Sequence, residues 1–382
     1  MKILVEDTIP FGLEYMKTLG DTTQYSWQSL RPEMLADTEY LVVRSTTNVD
    51  SALLQHAENL RFVTTATAGT NHLDKACLEA AGIQWDSAGG CNAVAVAEYV
   101  VSAILHADDA GYVDVNSATV GIVGAGHVGT ALASRLTCLG ISYKLCDPPL
   151  EHTGDPRDFC QLDDVLNCDI ISLHVPLITG SDYPTVNLID AAALSTLTEK
   201  QLLINACRGE VVDEVALLRR LKQPDAPRFV TDVYWQEPGI DTAMIDAAWL
   251  ATPHIAGHSV EGKTRGTQMV YEQLCKLMEK PISLTLSDFL EPVAPLTVAL
   301  ENPQHDRLSR ADLRRLFFSI YDINEDDRHF CQAMAESNQF AALRKAYRVR
   351  RECSAYTLQL SAAVSDGIRN QLQCLGFTLQ FL

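Results

Sequence analysis

Short runs of apolar residues alternate with stretches of helical period along most of the chain. Ile3 to Val5, Tyr40 to Val43 and Phe62 to Thr65 read as buried strands, followed by helix candidates such as Ala52 to Ala57 and Leu73 to Ala81. Near-continuous apolar strands alternating with helices imply a parallel sheet covered on both faces. A long helix opening near Asn92 leads into a second cycle, with strands at Thr119 to Val123, Tyr143 to Cys146, Ile170 to Val175, Leu202 to Asn205 and Phe229 to Val233. Gly124, Pro148, Pro176 and Pro253 punctuate their ends. Further on, Pro281, Pro292, Pro295 and Pro303 cannot extend a flanking element and mark a linker over 281–303. Ser309 with Asp312 then reads as a helix start, Asp366 to Cys374 as a helix, and Tyr356 to Leu360 and Phe377 to Phe381 as strands. The pattern predicts an α/β chain of two doubly wound parallel-sheet lobes, followed by a small α+β unit over 304–382.

Composition narrows what such a fold does. The 382 residues suffice for two or three folded units at about 150 residues each. With 49 Asp+Glu against 30 Lys+Arg the net charge is −19, which opposes non-specific binding to nucleic acid or to an anionic membrane. The acidity lies in residues 1–304, and the remainder is close to neutral. Anionic ligands must therefore be met by local donors. The eleven cysteines are scattered without a CxxC pair, so they read as buried small residues of a reducing compartment rather than a disulfide framework or a metal site. The start turns acidic at Glu6, and the apolar stretch from Ala93 to Leu105 is interrupted by Glu98 and falls short of the ~20 residues of a membrane span. A cytoplasmic address with no membrane partner is expected.

The first strand of the second cycle runs into Gly124-Ala125-Gly126-His127-Val128-Gly129 and then a helix. Gly124 suits the tight turn, Gly126 a close backbone approach to a pyrophosphate, and Gly129 close helix–strand packing, with the helix N-terminus facing the phosphates. Asp147 ends the next strand about 20 residues on, where a carboxylate accepts the ribose hydroxyls and repels a 2′-phosphate. This Rossmann-like or flavodoxin-like arrangement predicts NAD. Arg157 nearby keeps NADP open, and a glycine turn without ligand is the bland alternative.

Later strands end in further reactive groups. Arg208 follows Asn205-Ala206-Cys207, Asp232 ends the next strand with Glu237 close behind, and His254 follows Thr252-Pro253. Hydride removal from a hydroxyl-bearing carbon needs a proton acceptor, for which an imidazole is suited. His254 fills that role, Glu237 would orient its ring and stabilise the imidazolium, and Arg208 offers a planar fork for a carboxylate. Asp232 is expected at the nicotinamide end. Taken singly, a structural His, a surface ion pair and a loop-ending Glu-Pro are the ordinary readings.

These residues resemble the Arg, Glu and His triad of the D-2-hydroxyacid dehydrogenases, and similarity extends over Thr65 to Thr70, Gly90 to Tyr99, Cys146 to Pro149 and Glu261 to Lys263. The resemblance implies a substrate lobe of residues 1–93 and 255–280, an NAD domain of 94–254 inserted in it, and a C-terminal dimerisation domain. It implies a small phosphorylated 2-hydroxy acid as substrate, met by Ser45 and Thr67. Cofactor contacts carry over to His127, Val128, Asp147, Val175, Cys207, Arg208, Gly209, Asp232 and Gly257. Two departures stand out. Glu6-Asp7 reverses an acidic pair, and His258 stands where a Tyr is expected, which should make substrate affinity more pH dependent.

The basic run Arg344, Lys345, Arg348, Arg350 and Arg351 reads as a solvated helix face, or alternatively as a segment that a dimer partner lends to the substrate phosphate. Rival functions are a phosphoglycerate or hydroxypyruvate dehydrogenase, and an NAD-dependent assembly protein on the same fold.

Overall fold

The structure, a computed structural model, describes residues 1–361 and 363–382. It divides into two compact units, Met1–Asn92 with Ser259–Pro292, and Ala93–His258 with Val293–Leu382.

The first unit is built on five parallel strands, β1 (Lys2–Glu6), β2 (Asp21–Tyr25), β3 (Tyr40–Val43), β4 (Phe62–Thr65) and β5 (Gln84–Ser87), in the order β2-β1-β3-β4-β5. The strands β3 and β4 are buried throughout because helices cover both faces of the sheet. The edge strands β2 and β5 have mixed burial and no apolar period, which is why the sequence pattern passes over them. Helix Val260–Leu277 places Val270, Tyr271 and Leu274 in the core formed by Ile3, Val5 and Tyr15. The helix expected at Ala52 to Ala57 is a single 3₁₀ turn, Leu53–His56, with no buried residue to hold a longer element.

The second unit holds six parallel strands, β6 (Thr119–Val123), β7 (Ser142–Cys146), β8 (Ile170–Leu173), β9 (Leu202–Asn205), β10 (Arg228–Thr231) and β11 (Leu250–Ala251), in the order β11-β10-β9-β8-β6-β7. Strand order reverses between β6 and β8, and ligands of open parallel sheets bind beyond the carboxyl ends at such a reversal. A smaller sheet follows, β12 (Leu296–Thr297), β13 (Thr357–Leu360) and β14 (Thr378–Phe381), paired in parallel with helices as crossovers. Strand β12 lies inside the proline-rich stretch expected to be a linker, and its Leu296 pairs with Leu358.

The C-terminal segment shares its core with the six-stranded sheet. Leu313, Leu316, Phe317, Ile368 and Leu372 belong to the same cluster as Val100, Ile104, Leu132 and Leu136. Contrary to the expectation from cysteine spacing, Cys138 and Cys374 form a disulfide, with Cα atoms 5.7 Å apart. Spacing could not reveal it, because the two residues end helices 236 positions apart that meet only in the folded core.

Candidate active site

Every residue expected to serve catalysis or the cofactor in the second unit lies beyond the carboxyl end of one of β6 to β11. After β6, Gly124 turns with φ +91°, a left-handed conformation that glycine adopts without strain, and a Cβ there would stand 2.6 Å from the His174 carbonyl oxygen. A Cβ on Gly129 would overlap the Gly124 carbonyl, so helix His127–Leu139 rests directly on the turn. In front of Gly126 lies open space, and the helix has no side-chain cap. Uncapped N–H groups beside an open approach fit a pyrophosphate. Asp147 follows β7, with Oδ2 accepting from Ala125 N at 2.8 Å and Oδ1 from Leu150 N at 3.1 Å, which ties it to the glycine turn. Arg157, the residue that kept NADP open, donates to the Ala125 carbonyl and Thr130 hydroxyl and pairs with Asp155. Asp147→Ser should lower the preference for NAD over NADP in kcat/KM by about tenfold or more, read from initial rates with each cofactor.

His174 follows β8 and was not singled out by the sequence, since a lone His carries no motif. Its ring is buried with Nε2 2.8 Å from Ser172 Oγ, and burial pushes its pKa down to about 3. The native state therefore holds the neutral ring while the unfolded chain protonates near 6.5. That stability is present above 6.5 and is lost as pH falls toward 3. Thermal melts of His174→Leu should show a shallower loss of Tm than the wild type over this acid range.

At the end of β9, Asn205 Nδ2 donates to the Arg208 carbonyl at 2.9 Å and shapes the turn that follows. Arg208 is half-buried, with Nη1 on the Cys207 carbonyl at 2.6 Å. Burial raises the Cys207 thiol to about 11, so it stays protonated beside Arg208. After β10, Glu237 Oε1 accepts from Tyr234 N at 3.0 Å and Oε2 lies 2.6 Å from His254 Nδ1. This pair forms as the sequence predicted. His254 itself has φ +57°, a left-handed backbone that costs a non-glycine residue about 1–2 kcal/mol.

Asp232, expected at the nicotinamide end, uses both oxygens on the His254 loop. Oδ1 accepts from Thr252 Oγ1 and Ile255 N, each at 2.7 Å, and Oδ2 from Ala256 N at 2.9 Å. Burial raises its carboxyl to about 6, against the opposing pull of His254 and these donors. The ring of His258 lies 6.1 Å from that of Tyr347, so a phenol does stand beside the position where a Tyr was expected.

In the first unit, Ser45 follows β3 on the surface and Thr67 follows β4, its hydroxyl 2.8 Å from that of Thr65. Glu6, the reversed acidic residue, is fully buried and holds the Ser45 loop, accepting from Arg44 N at 2.9 Å and Thr47 Oγ1 at 2.6 Å. Burial acts to raise its carboxyl, but the hydroxyls of Thr46, Thr47 and Thr8 and the Arg44 N–H outweigh it and hold the pKa low.

The basic run is only in part a solvated face, with Lys345 and Arg348 exposed. Arg344 Nε donates to the His254 carbonyl, Arg348 pairs with Asp326 and Glu325, and Arg350 is buried with Nη1 on the Ala256 carbonyl. The sequence hides this because the segment reaches the His254 loop only through tertiary packing. Among the described residues, no group of three or more His, Cys, Asp or Glu is arranged to hold a metal ion, and no helix is long and apolar enough to cross a membrane.

Residues 96–256 match the family described as the D-isomer specific 2-hydroxyacid dehydrogenase, NAD binding domain, and residues 295–376 match a domain of unknown function (DUF3410). The chain is 47% identical to the erythronate-4-phosphate dehydrogenase of Pseudoalteromonas atlantica over 94% of its own length and 95% of that protein's. It is 41% identical to the enzyme of the same name from Marinobacter nauticus over the full length of both. Among solved structures, a 2-hydroxyacid dehydrogenase from Ketogulonicigenium vulgare superposes with a TM-score of 0.61 at 19% identity, covering 74% of this chain and 97% of that one. At that identity the likeness shows the fold.

Proposed function

Because the chain belongs to the erythronate-4-phosphate dehydrogenases, NAD-dependent members of the D-2-hydroxyacid dehydrogenase family, we propose that Arg208, Glu237 and His254 oxidise the 2-hydroxyl of 4-phospho-D-erythronate. The product is 2-oxo-3-hydroxy-4-phosphobutanoate, and the family name places the reaction in vitamin B6 synthesis. The observation that carries this reading is the 2.6 Å contact between Glu237 Oε2 and His254 Nδ1. With Nδ1–H donating to the carboxylate, Nε2 is the unprotonated acceptor, and it takes the hydroxyl proton as the carbonyl forms. A bound NAD would supply the hydride acceptor for C2. Arg208 holds the substrate carboxylate, and Glu237 stabilises the imidazolium left after proton transfer.

The glycine turn from Gly124 to Gly129, with His127, Val128 and Asp147, holds the pyrophosphate and ribose. Val175, Cys207, Gly209, Asp232 and Gly257 line the cofactor on the same carboxyl edge. Ser45, Thr67 and His258 contact the substrate. The enzyme works as a homodimer through its C-terminal segment, a reading supported by β14 at a sheet edge with its Phe381 exposed. Nine free cysteines favour a cytoplasmic address, and the Cys138–Cys374 disulfide weighs against it.

The deciding experiment is a substrate panel followed by NADH fluorescence. 4-Phosphoerythronate should show the highest kcat/KM, and an equal or higher value for 3-phosphoglycerate or hydroxypyruvate would overturn the substrate assignment.

A further inference from the structure

Three side chains of the C-terminal segment converge on the backbone that carries His254. On entry, Asp327 Oδ1 accepts the Ala251 N–H at 2.7 Å. At the residue itself, Arg344 Nε donates to the His254 carbonyl at 3.2 Å. On exit, Arg350 Nη1 donates to the Ala256 carbonyl at 2.9 Å, while its Nη2 reaches the Ala95 carbonyl at 2.6 Å. From the sheet side, Asp232 takes the N–H groups of Ile255 and Ala256. The loop is thus held by its N–H groups on two carboxylates and by its carbonyls on two guanidiniums.

The grip extends to the other half of the pair. Tyr234, whose N–H fixes Glu237, donates its hydroxyl to the Thr252 carbonyl at 3.0 Å, and its ring packs against Phe330 and Phe340 of the same segment. A left-handed, non-glycine residue persists only where its surroundings over-determine it. Arg350 meets that need at the expense of burying a cation, 2% exposed, with its guanidinium 3.6 Å from the Tyr321 ring centre and Glu98 nearby. A segment that merely extended the core would not require two arginines on the carbonyls flanking the base.

We propose that Arg344 and Arg350 are positioning residues that aim His254, so that the segment matching a family without an assigned role sets the geometry of the base within its own chain. The proposal rests on His254 being the base. It is tested on the full-length enzyme with Arg344→Met and Arg350→Lys, since a lysine cannot span the Ala95 and Ala256 carbonyls together. Each variant should lose about tenfold or more in kcat per folded molecule, because small misplacements of a reacting group are costly. The KM for NAD should stay within about twofold, and the pH profile of kcat should be displaced.

Ile368→Val thins the core of the same segment without touching the loop. It should lower Tm by a few degrees and leave kcat and its pH profile unchanged. Wild-type kcat with an undisplaced pH profile in Arg344→Met would overturn the proposal, even if Arg350→Lys fails to fold. The two readings separate cleanly: turnover surviving in His254→Gln removes the base itself, whereas a dead His254→Gln beside a fully active Arg344→Met removes only the positioning role.

Discussion

His254→Gln is expected to lose roughly 100- to 10,000-fold in kcat while binding NAD as the wild type does. The amide is close to the imidazole in length and can keep a hydrogen bond to Glu237, so the loop retains its partner. What disappears is the ring nitrogen that faces away from Glu237 and serves as the proposed proton acceptor. Steady-state NADH fluorescence gives kcat, and quenching of protein fluorescence by NAD checks that the cofactor site is intact. Retention of more than about a tenth of wild-type kcat would remove His254 from the mechanism. Glu237→Gln should fall in the same direction, because an amide can present its NH₂ group to Nδ1 and favour the tautomer with Nε2 protonated.

The second large effect is expected at Arg208. A charge-assisted hydrogen bond to a carboxylate contributes about 1.5–3 kcal/mol, so losing a bidentate pair in Arg208→Gln should lower kcat/KM roughly 100- to 10,000-fold. Nη1 is already committed to the Cys207 carbonyl, which fixes the plane of the fork and leaves the remaining N–H groups to the substrate. Arg208→Lys should recover part of the loss by restoring charge without the fork. The deficit should appear mainly with the hydroxy acid as the varied substrate. If it appeared equally with NAD varied, Arg208 would belong to the cofactor site instead.

The parts of this fold that announce themselves are those whose residues obey a local rule. Strands β3, β4, β6 and β9 match the apolar runs in the sequence end for end, because strands buried on both faces must be apolar throughout. The Gly124 to Gly129 turn and Asp147 are legible because phosphate binding at a helix N-terminus fixes their spacing. Glu237 and His254 could be paired only because both follow strands that end at one edge of the sheet. Glu6 shows in the sequence only as half of a reversed acidic pair, since nothing near it indicates that Thr46 and Thr47 will meet it in the fold. The roles of Arg344 and Arg350 were hidden for the same reason. A basic run is indistinguishable from a solvated surface until the carbonyls it serves, 90 and 94 residues earlier, are folded against it.

The core shared by the C-terminal segment and the six-stranded sheet bears on how such an enzyme changes over generations. Leu132 and Leu136 of the glycine-turn helix pack in one cluster with Leu316, Phe317 and Leu372. A chain ending before the segment would leave this apolar surface in water, at about 25 cal/mol per Å². Once helix His127–Leu139 has become apolar on that face, losing the segment is no longer a neutral step. The appendage is then retained by inheritance even in a descendant that no longer needs its arginines, and only coordinated replacement of several leucines by polar residues would release it.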